Sequence, residues 1–113
     1  MVCNMAKDSF NEKDWKLYRN RIAGWQESYM EKLTKEYIEL LSGDEAASDK
    51  FWELEKRIKV DKKRVGVSVH LRRSEMEYQI MELLNDGAIQ MSDLADFSED
   101  LQEKMKFFKE RWS

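Results

Sequence analysis

The chain contains no proline and only four glycines among its 113 residues. All-β sandwiches and barrels need many tight turns, and these two residue types mark most turns in proteins. The composition therefore disfavours an all-β fold and predicts a few long elements. A charged fraction of 38%, against about 25% in average proteins, fits helices with well-solvated faces.

Cysteine is almost absent as well, since Cys3 is the only one. A single cysteine cannot form an intrachain disulfide, so the fold needs no oxidising compartment. The first ten residues include Lys7 and Asp8 and lack the apolar core of a signal peptide. No run of apolar residues approaches the 18 or so that span a membrane. We therefore predict a cytoplasmic protein without a membrane partner.

Residues that carry chemistry are also scarce. His70 is the only histidine, and no cysteine or Glu-x-x-His pattern accompanies it as a metal site would require. The glycines stand alone, so no phosphate-binding loop is present. A solvent-facing or half-buried helix residue explains His70 better than a catalytic one. We predict no catalytic residues, no cofactor, no bound metal and no enzymatic activity.

The longest feature that the sequence does contain is an amphipathic run that ends at Leu41. Its apolar residues recur every three or four positions, which is helical spacing; they are Trp15, Tyr18, Ile22, Trp25, Tyr29, Leu33, Tyr37 and Leu40. We predict one helix from about residue 11 to Leu41, ended by Gly43 in the left-handed conformation. Residues 1–10 are predicted to be disordered, and residues 11–113 to form a single helical domain. Gly24, inside the helix, is expected to let another helix pack closely.

Shorter helices are predicted along the rest of the chain. The second starts at Ser48 or Asp49 and ends near Lys62. The alternation of Val65, Val67, Val69 and Leu71 is a strand signal, but a lone strand has no partner. We therefore favour a turn near Gly66 and a third helix capped by Ser68.

The third helix should end at the sequence Asn85-Asp86-Gly87, which is typical of a left-handed cap. A short helix from Asp93 to Phe97, capped by Ser92, and a last helix capped by Ser98 complete the chain. The predicted fold is all-α, a small bundle of four main helices plus a short one. The long first helix is its spine, and the third and last helices pack along it.

The aromatic residues of the first helix allow two interpretations. They could form the intrachain core. Alternatively, the other helices are too short to cover the whole rod, and part of the stripe contacts a protein partner or a second copy of the chain as a dimer. On this second interpretation the predicted contact residues are Trp15, Tyr18, Trp25 and Tyr29.

Charge is distributed in three blocks along the chain. Residues 1–55 carry a net charge of −4, residues 56–73 a net +7, and residues 74–113 a net −6. The basic block could contact nucleic acid through Lys62, Lys63, Arg64, Arg72 and Arg73. Pairing with the chain's own acids is favoured, because the overall charge of −3 is unusual for a nucleic-acid-binding domain.

The segment LLNDGAIQMSDLADFSEDLQEKM resembles the helix-turn-helix at the start of winged-helix regulators. That resemblance implies a DNA-binding regulator as the alternative function. The helix that would read DNA, however, opens with Glu99, Asp100 and Glu103, whose charges repel phosphates. The same segment is similar to short helical-hairpin oligomerisation modules.

Taken whole, the chain resembles a group of small proteins of gut Firmicutes that are often encoded on mobile elements. The segments KLYRNRIAGWQESYMEKLTKEYIELL and LLNDGAI…DL…FSEDLQE carry this resemblance. The group has no established activity, but small acidic helical proteins on mobile elements include anti-CRISPR inhibitors of host defence. The resemblance implies an interaction module of this type. Its acidic residues Asp93, Asp96, Glu99 and Asp100 would imitate nucleic-acid phosphates.

Overall fold

The structure, a computed structural model, describes residues 2–112, with the side chains of residues 12–111. It contains four α-helices: α1 (Val2–Leu41), α2 (Ala47–Asp61), α3 (Met76–Asn85) and α4 (Glu99–Trp112). Two short 3-10 helices, Arg73–Glu75 and Met91–Leu94, precede α3 and α4. No strand occurs in this part of the chain. The predicted all-α fold, with four main helices and a long first helix, is confirmed. The division into a disordered segment (1–10) and one domain (11–113) stays a prediction, since the side chains of 1–11 lie outside the described part.

The 40 residues of α1 determine the shape of the molecule. At 1.5 Å per residue the helix is about 60 Å long, and the molecule measures 63 × 26 × 18 Å. Its middle part, from Asp14 to Trp25, packs against α3, α4 and the second 3-10 helix in a unit that we call the head. The fully buried side chains of this unit are Tyr18, Ile80, Leu83, Leu94, Leu101 and Met105.

The C-terminal end of α1 and the antiparallel α2 form a second unit, residues 29–61, that we call the hairpin. The buried apolar cluster of the head includes no residue of α2. Within α2 the buried side chain is that of Asp61, a polar residue. The prediction that the third and last helices pack along the first therefore holds in the head, while the hairpin extends away from it.

Two helix ends follow local sequence signals. At the end of α3 the N–H of Ala88 donates to the carbonyl of Leu83 (2.9 Å), and that of Gly87 donates to Leu84 (3.1 Å). Gly87 has a φ of 75°, so these bonds form the predicted left-handed cap. At the start of α4 the hydroxyl of Ser98 accepts a bond from the N–H of Leu101 (3.2 Å), as predicted for a cap.

Other predicted caps are wrong. Gly43 is not left-handed; instead, the N–H and the hydroxyl of Ser42 both bond the carbonyl of Ile38. The residue that caps α2 is Ala46, which makes no side-chain cap bond, and neither Ser48 nor Asp49 does so. The short helix before α4 is a 3-10 helix that starts one residue before Ser92. Gln90 and Asp93 close its first turn in a reciprocal capping box.

The stretch after α2 is neither a strand nor a helix. Residues 64–72 form turns and extended chain, and the third helix starts at Met76 rather than near Ser68. The side chains of Val65 and Val69 pack against the core of the head, which explains the apolar alternation without any strand partner. Gly66 is buried against the ring of Tyr29.

Gly24 was expected to permit close packing, and this prediction is wrong. The position is exposed, and a Cβ built there would have no neighbour within 4 Å. The helices of the head pack on the opposite side of α1.

Candidate protein-binding surface

The four aromatic residues predicted as a contact face lie mostly inside the chain's own core. Tyr18 is fully buried, and Trp15 and Tyr29 are 9% and 5% exposed. Trp25 is half-buried and stacks on Phe97 with ring centroids 6.0 Å apart. The prediction of an external contact through these side chains is thus wrong for Trp15, Tyr18 and Tyr29. The residues that cover this part of α1 belong to α3, the second 3-10 helix and α4, which are distant in the sequence.

Two buried polar residues, Gln79 and Asp14, hold this core together, and no sequence pattern marked either of them. The hydroxyl of Tyr18 donates to Gln79 (2.7 Å), and the amide of Gln79 donates to the carbonyl of His70 (3.0 Å). Burial raises the pKa of Tyr18. Asp14 accepts bonds from the hydroxyl (2.6 Å) and the N–H (2.9 Å) of Ser98, which ties α1 to the start of α4.

Large exposed apolar side chains are concentrated on the hairpin instead. Phe51 and Trp52 are 63% and 64% exposed, and their rings meet edge to face with centroids 5.0 Å apart. Ile38, Leu41 and Ile58 are exposed as well. Val60 is exposed too, but it lies about half a turn of the helix from Phe51 and is set aside. We call the other five residues the hairpin surface. Single exposed apolar residues are ordinary, but a group concentrated on one helical hairpin is typical of an interaction site.

Helical geometry places most of the hairpin surface on one flank of the hairpin. The side of α2 that meets α1 carries Arg57 and Asp61, which bond Glu36 and Tyr37 of α1. At 100° per residue, Phe51 and Ile58 lie about a quarter turn from that side. Leu41 is rotated by a similar angle, about a quarter turn, from the side of α1 that meets α2. Because the two helices are antiparallel, these rotations point to the same flank. Ile38 and Trp52 are rotated by about 150° or more from the contact sides and lie at the outer edges of that flank.

A polar network fixes the hairpin to the head. Tyr37 donates to the buried carboxylate of Asp61 (2.5 Å), and Arg64 bonds both Asp61 (3.3 Å) and Asp86 (2.8 Å). Burial, followed by the bond to Asp61, raises the pKa of Tyr37 to about 12. Burial also raises the pKa of Asp86, against the opposing effect of Arg64. These contacts orient α2 and leave its outer flank uncovered.

The five basic residues proposed for nucleic acid do not form one free patch. Arg64 pairs with Asp61 and Asp86. Arg72 pairs with Glu75, and Arg73 with Glu12. Lys62 and Lys63 are exposed beyond the end of α2. We predicted that the basic block pairs with the chain's own acids. Three of the five basic residues, Arg64, Arg72 and Arg73, make such ion pairs.

The four acidic residues proposed as a phosphate-like face lie near the start of α4. Asp96 binds Arg21 (2.6 Å), and Asp100 binds Lys104 (3.4 Å). Asp93 accepts the N–H of Gln90 (2.7 Å), while Glu99 is exposed. Three of the four carboxylates therefore have partners within the chain.

The side chain of His70 is exposed, and its backbone carbonyl is the acceptor for Gln79. Among residues with described side chains, no group of three or more His, Cys, Asp or Glu could hold a metal ion.

The segment that resembles a helix-turn-helix contains a four-residue 3-10 helix, Met91–Leu94, where the short helix between α3 and α4 was predicted. In the described part of the chain, the helices all fall short of the length and apolarity needed to cross a membrane.

Comparison of the chain with protein-family models, with curated proteins and with solved structures found no match.

Proposed function

We propose that this protein is a non-enzymatic interaction module that binds a protein partner through the hairpin surface. The observation that carries the proposal is the exposed Phe51–Trp52 pair on a helix that contributes nothing to the apolar core. Aromatic side chains of this size supply the central anchors of many protein interfaces. Covering them would remove apolar surface from water and so favour binding.

Inhibition of a host defence complex, of the anti-CRISPR type, is the narrower form of this proposal. It rests on the resemblance to proteins of mobile elements and on the exposed acids Asp96, Glu99 and Asp100. If these acids occupied a basic channel, neutralising all three would weaken inhibition and remove its dependence on salt. Undiminished inhibition by that variant would contradict this form and leave the hairpin interaction in place.

Affinity capture with matched variants tests the main proposal. The double variant Phe51→Ser/Trp52→Ser removes the anchors, and Phe107→Ser removes an aromatic of α4 that is 55% exposed. We expect the double variant, but not Phe107→Ser, to lose the proteins that the wild type retains from the producing cell. Equal capture by all three would show that the hairpin is not the binding site.

The DNA-binding alternative has less support from the same geometry. Three of its five candidate cations are held in ion pairs. The helix that would enter a groove, α4, opens with Glu99 and Asp100, whose charges repel phosphates. A gel-shift experiment with duplex DNA at low salt tests the DNA-binding alternative. If the protein shifts duplex DNA and Lys62→Ala/Lys63→Ala abolishes the shift, DNA binding replaces the present proposal.

A further inference from the structure

We propose that the hairpin surface binds the hairpin surface of a second copy of this chain, in an antiparallel, two-fold arrangement. This inference rests on the proposed function, and it identifies the partner. In such an arrangement the tip of each hairpin lies beside the base of the other.

The distribution of charge along the hairpin supports this orientation. Its tip, residues 38–49, carries four acidic groups and no basic one; they are Glu39, Asp44, Glu45 and Asp49. The base, residues 56–64, carries six basic groups and one acidic group; with Glu36 and Asp86, which bind Arg57 and Arg64, its net charge is +3. A parallel pairing would place like charges together. The antiparallel pairing brings each acidic tip to a basic base, which favours association and fixes its direction.

The same arrangement pairs the apolar residues of the two copies. In a two-fold interface each contact occurs twice, from i to j and from j to i. An axis near Leu54 brings the tip of one α2 to the base of the other and sets Phe51 of one copy beside Ile58 of its partner. Trp52 and Leu41 then lie around this contact. Two helical hairpins packed in this way make a four-helix unit, a common helical assembly.

The area available suits a reversible dimer. Two aromatic side chains that are 63–64% exposed present about 250 Å² together, and the three aliphatic residues bring the total to about 500 Å² per copy. If all five side chains were covered completely, two copies would bury about 1,000 Å², which is below the range of about 1,200–2,000 Å² for stable interfaces and typical of weak, reversible ones. We therefore expect an equilibrium between monomer and dimer that depends on concentration and on salt.

Sedimentation velocity of the purified chain measures this equilibrium. The wild type should shift from 13.6 kDa towards twice that mass as its concentration rises, and added salt should reverse the shift. Phe51→Glu should raise the dissociation constant by at least about tenfold. Phe107→Glu changes an aromatic of α4 that is 55% exposed and lies outside the hairpin surface, and it should leave the dissociation constant unchanged.

A charge exchange tests the antiparallel direction. Asp44→Lys/Glu45→Lys reverses charges at the tip, and Lys59→Glu/Lys62→Glu reverses charges at the base. Each double variant alone should weaken the dimer by about tenfold, and the combined variant should restore it. Simple misfolding would not be corrected by the second pair of changes.

Two results would overturn the inference: a wild type that stays monomeric at every concentration, or a combined variant that is weaker than either double variant. The proposed function fails differently, in the capture experiment. If the pure chain is monomeric but Phe51→Ser/Trp52→Ser still loses a captured protein, the hairpin surface serves a different partner and only the second copy is excluded.

Discussion

Gly66 and Gly24 lie in opposite environments, although both are glycines of an almost glycine-free chain. A Cβ added to Gly66 would collide with the ring of Tyr29, whereas one added to Gly24 would meet no atom within 4 Å. Gly66 therefore allows the chain after α2 to pass close to α1, and Gly24 leaves the middle of α1 with needless backbone freedom.

These two positions predict opposite effects of the same substitution. Gly66→Ala should lower the free energy of unfolding by about 1–3 kcal/mol, because Tyr29 must move. Gly24→Ala should raise it by up to about 1 kcal/mol, since alanine favours the helix. Urea unfolding of both variants measures the difference. Equal effects would mean that Gly66 does not contact Tyr29.

Tyr37 links the stability of the hairpin to alkaline pH. Its pKa rises from 10.0 to about 12 in the folded protein, so folding favours the neutral phenol. This contribution is fully present below pH 10 and is lost as the pH approaches 12. The free energy of unfolding should therefore fall less steeply over this range in Tyr37→Phe than in the wild type. Tyr18, Tyr29 and Tyr78 titrate in both proteins, so the difference between the two slopes isolates Tyr37.

At the scale of elements, the start of α4 depends on a residue in α1. Ser98 caps α4 with its hydroxyl and also donates to Asp14, which is 84 positions earlier. One side chain thus stabilises the helix and joins it to the spine of the head.

Removing that hydroxyl should destabilise the head. Ser98→Ala should lower the free energy of unfolding by about 1–2 kcal/mol, because both the cap and a bond to a buried carboxylate are lost. Ser92→Ala is the control, since Ser92 is exposed and Gln90 and Asp93 make the cap beside it. Thermal or urea unfolding compares the two. A cost as large for Ser92→Ala would contradict this assignment of the caps.

The whole molecule is more extended than its length requires. Its radius of gyration is 17.3 Å, against about 13 Å for a compact domain of this size. The excess arises because the apolar core of the head packs only on the middle of the 40-residue helix α1, while the hairpin projects from the C-terminal end of that helix.

This division predicts unequal local stability. Backbone amides in residues 47–58 of α2 should exchange with solvent faster than those in residues 79–84 of α3 and 101–105 of α4. Hydrogen exchange measured by mass spectrometry on the monomer, at low protein concentration, tests this. If α2 is protected as strongly as α3 and α4, the hairpin is stabilised by contacts beyond those described above. Raising the concentration should slow exchange in α2 if the dimer forms.

The sequence by itself determined the helices and several of their ends. Apolar spacing of three and four residues defines α1 through Leu41, and Gly87 and Ser98 mark ends whose bonds join residues only a few positions apart. The absence of proline and the scarcity of glycine excluded a turn-rich fold. These signals are readable because helices form from interactions between near neighbours.

Only the tertiary structure decided which half of the aromatic stripe is buried. Trp15, Tyr18 and Tyr29 look alike in the sequence to residues that could face a partner, but segments more than sixty positions away cover Tyr18. Phe51 and Trp52, which lie within the predicted second helix, are left outside the core. The physical reason is that burial depends on contacts between distant segments, and the spacing of residues within one helix carries no information about them.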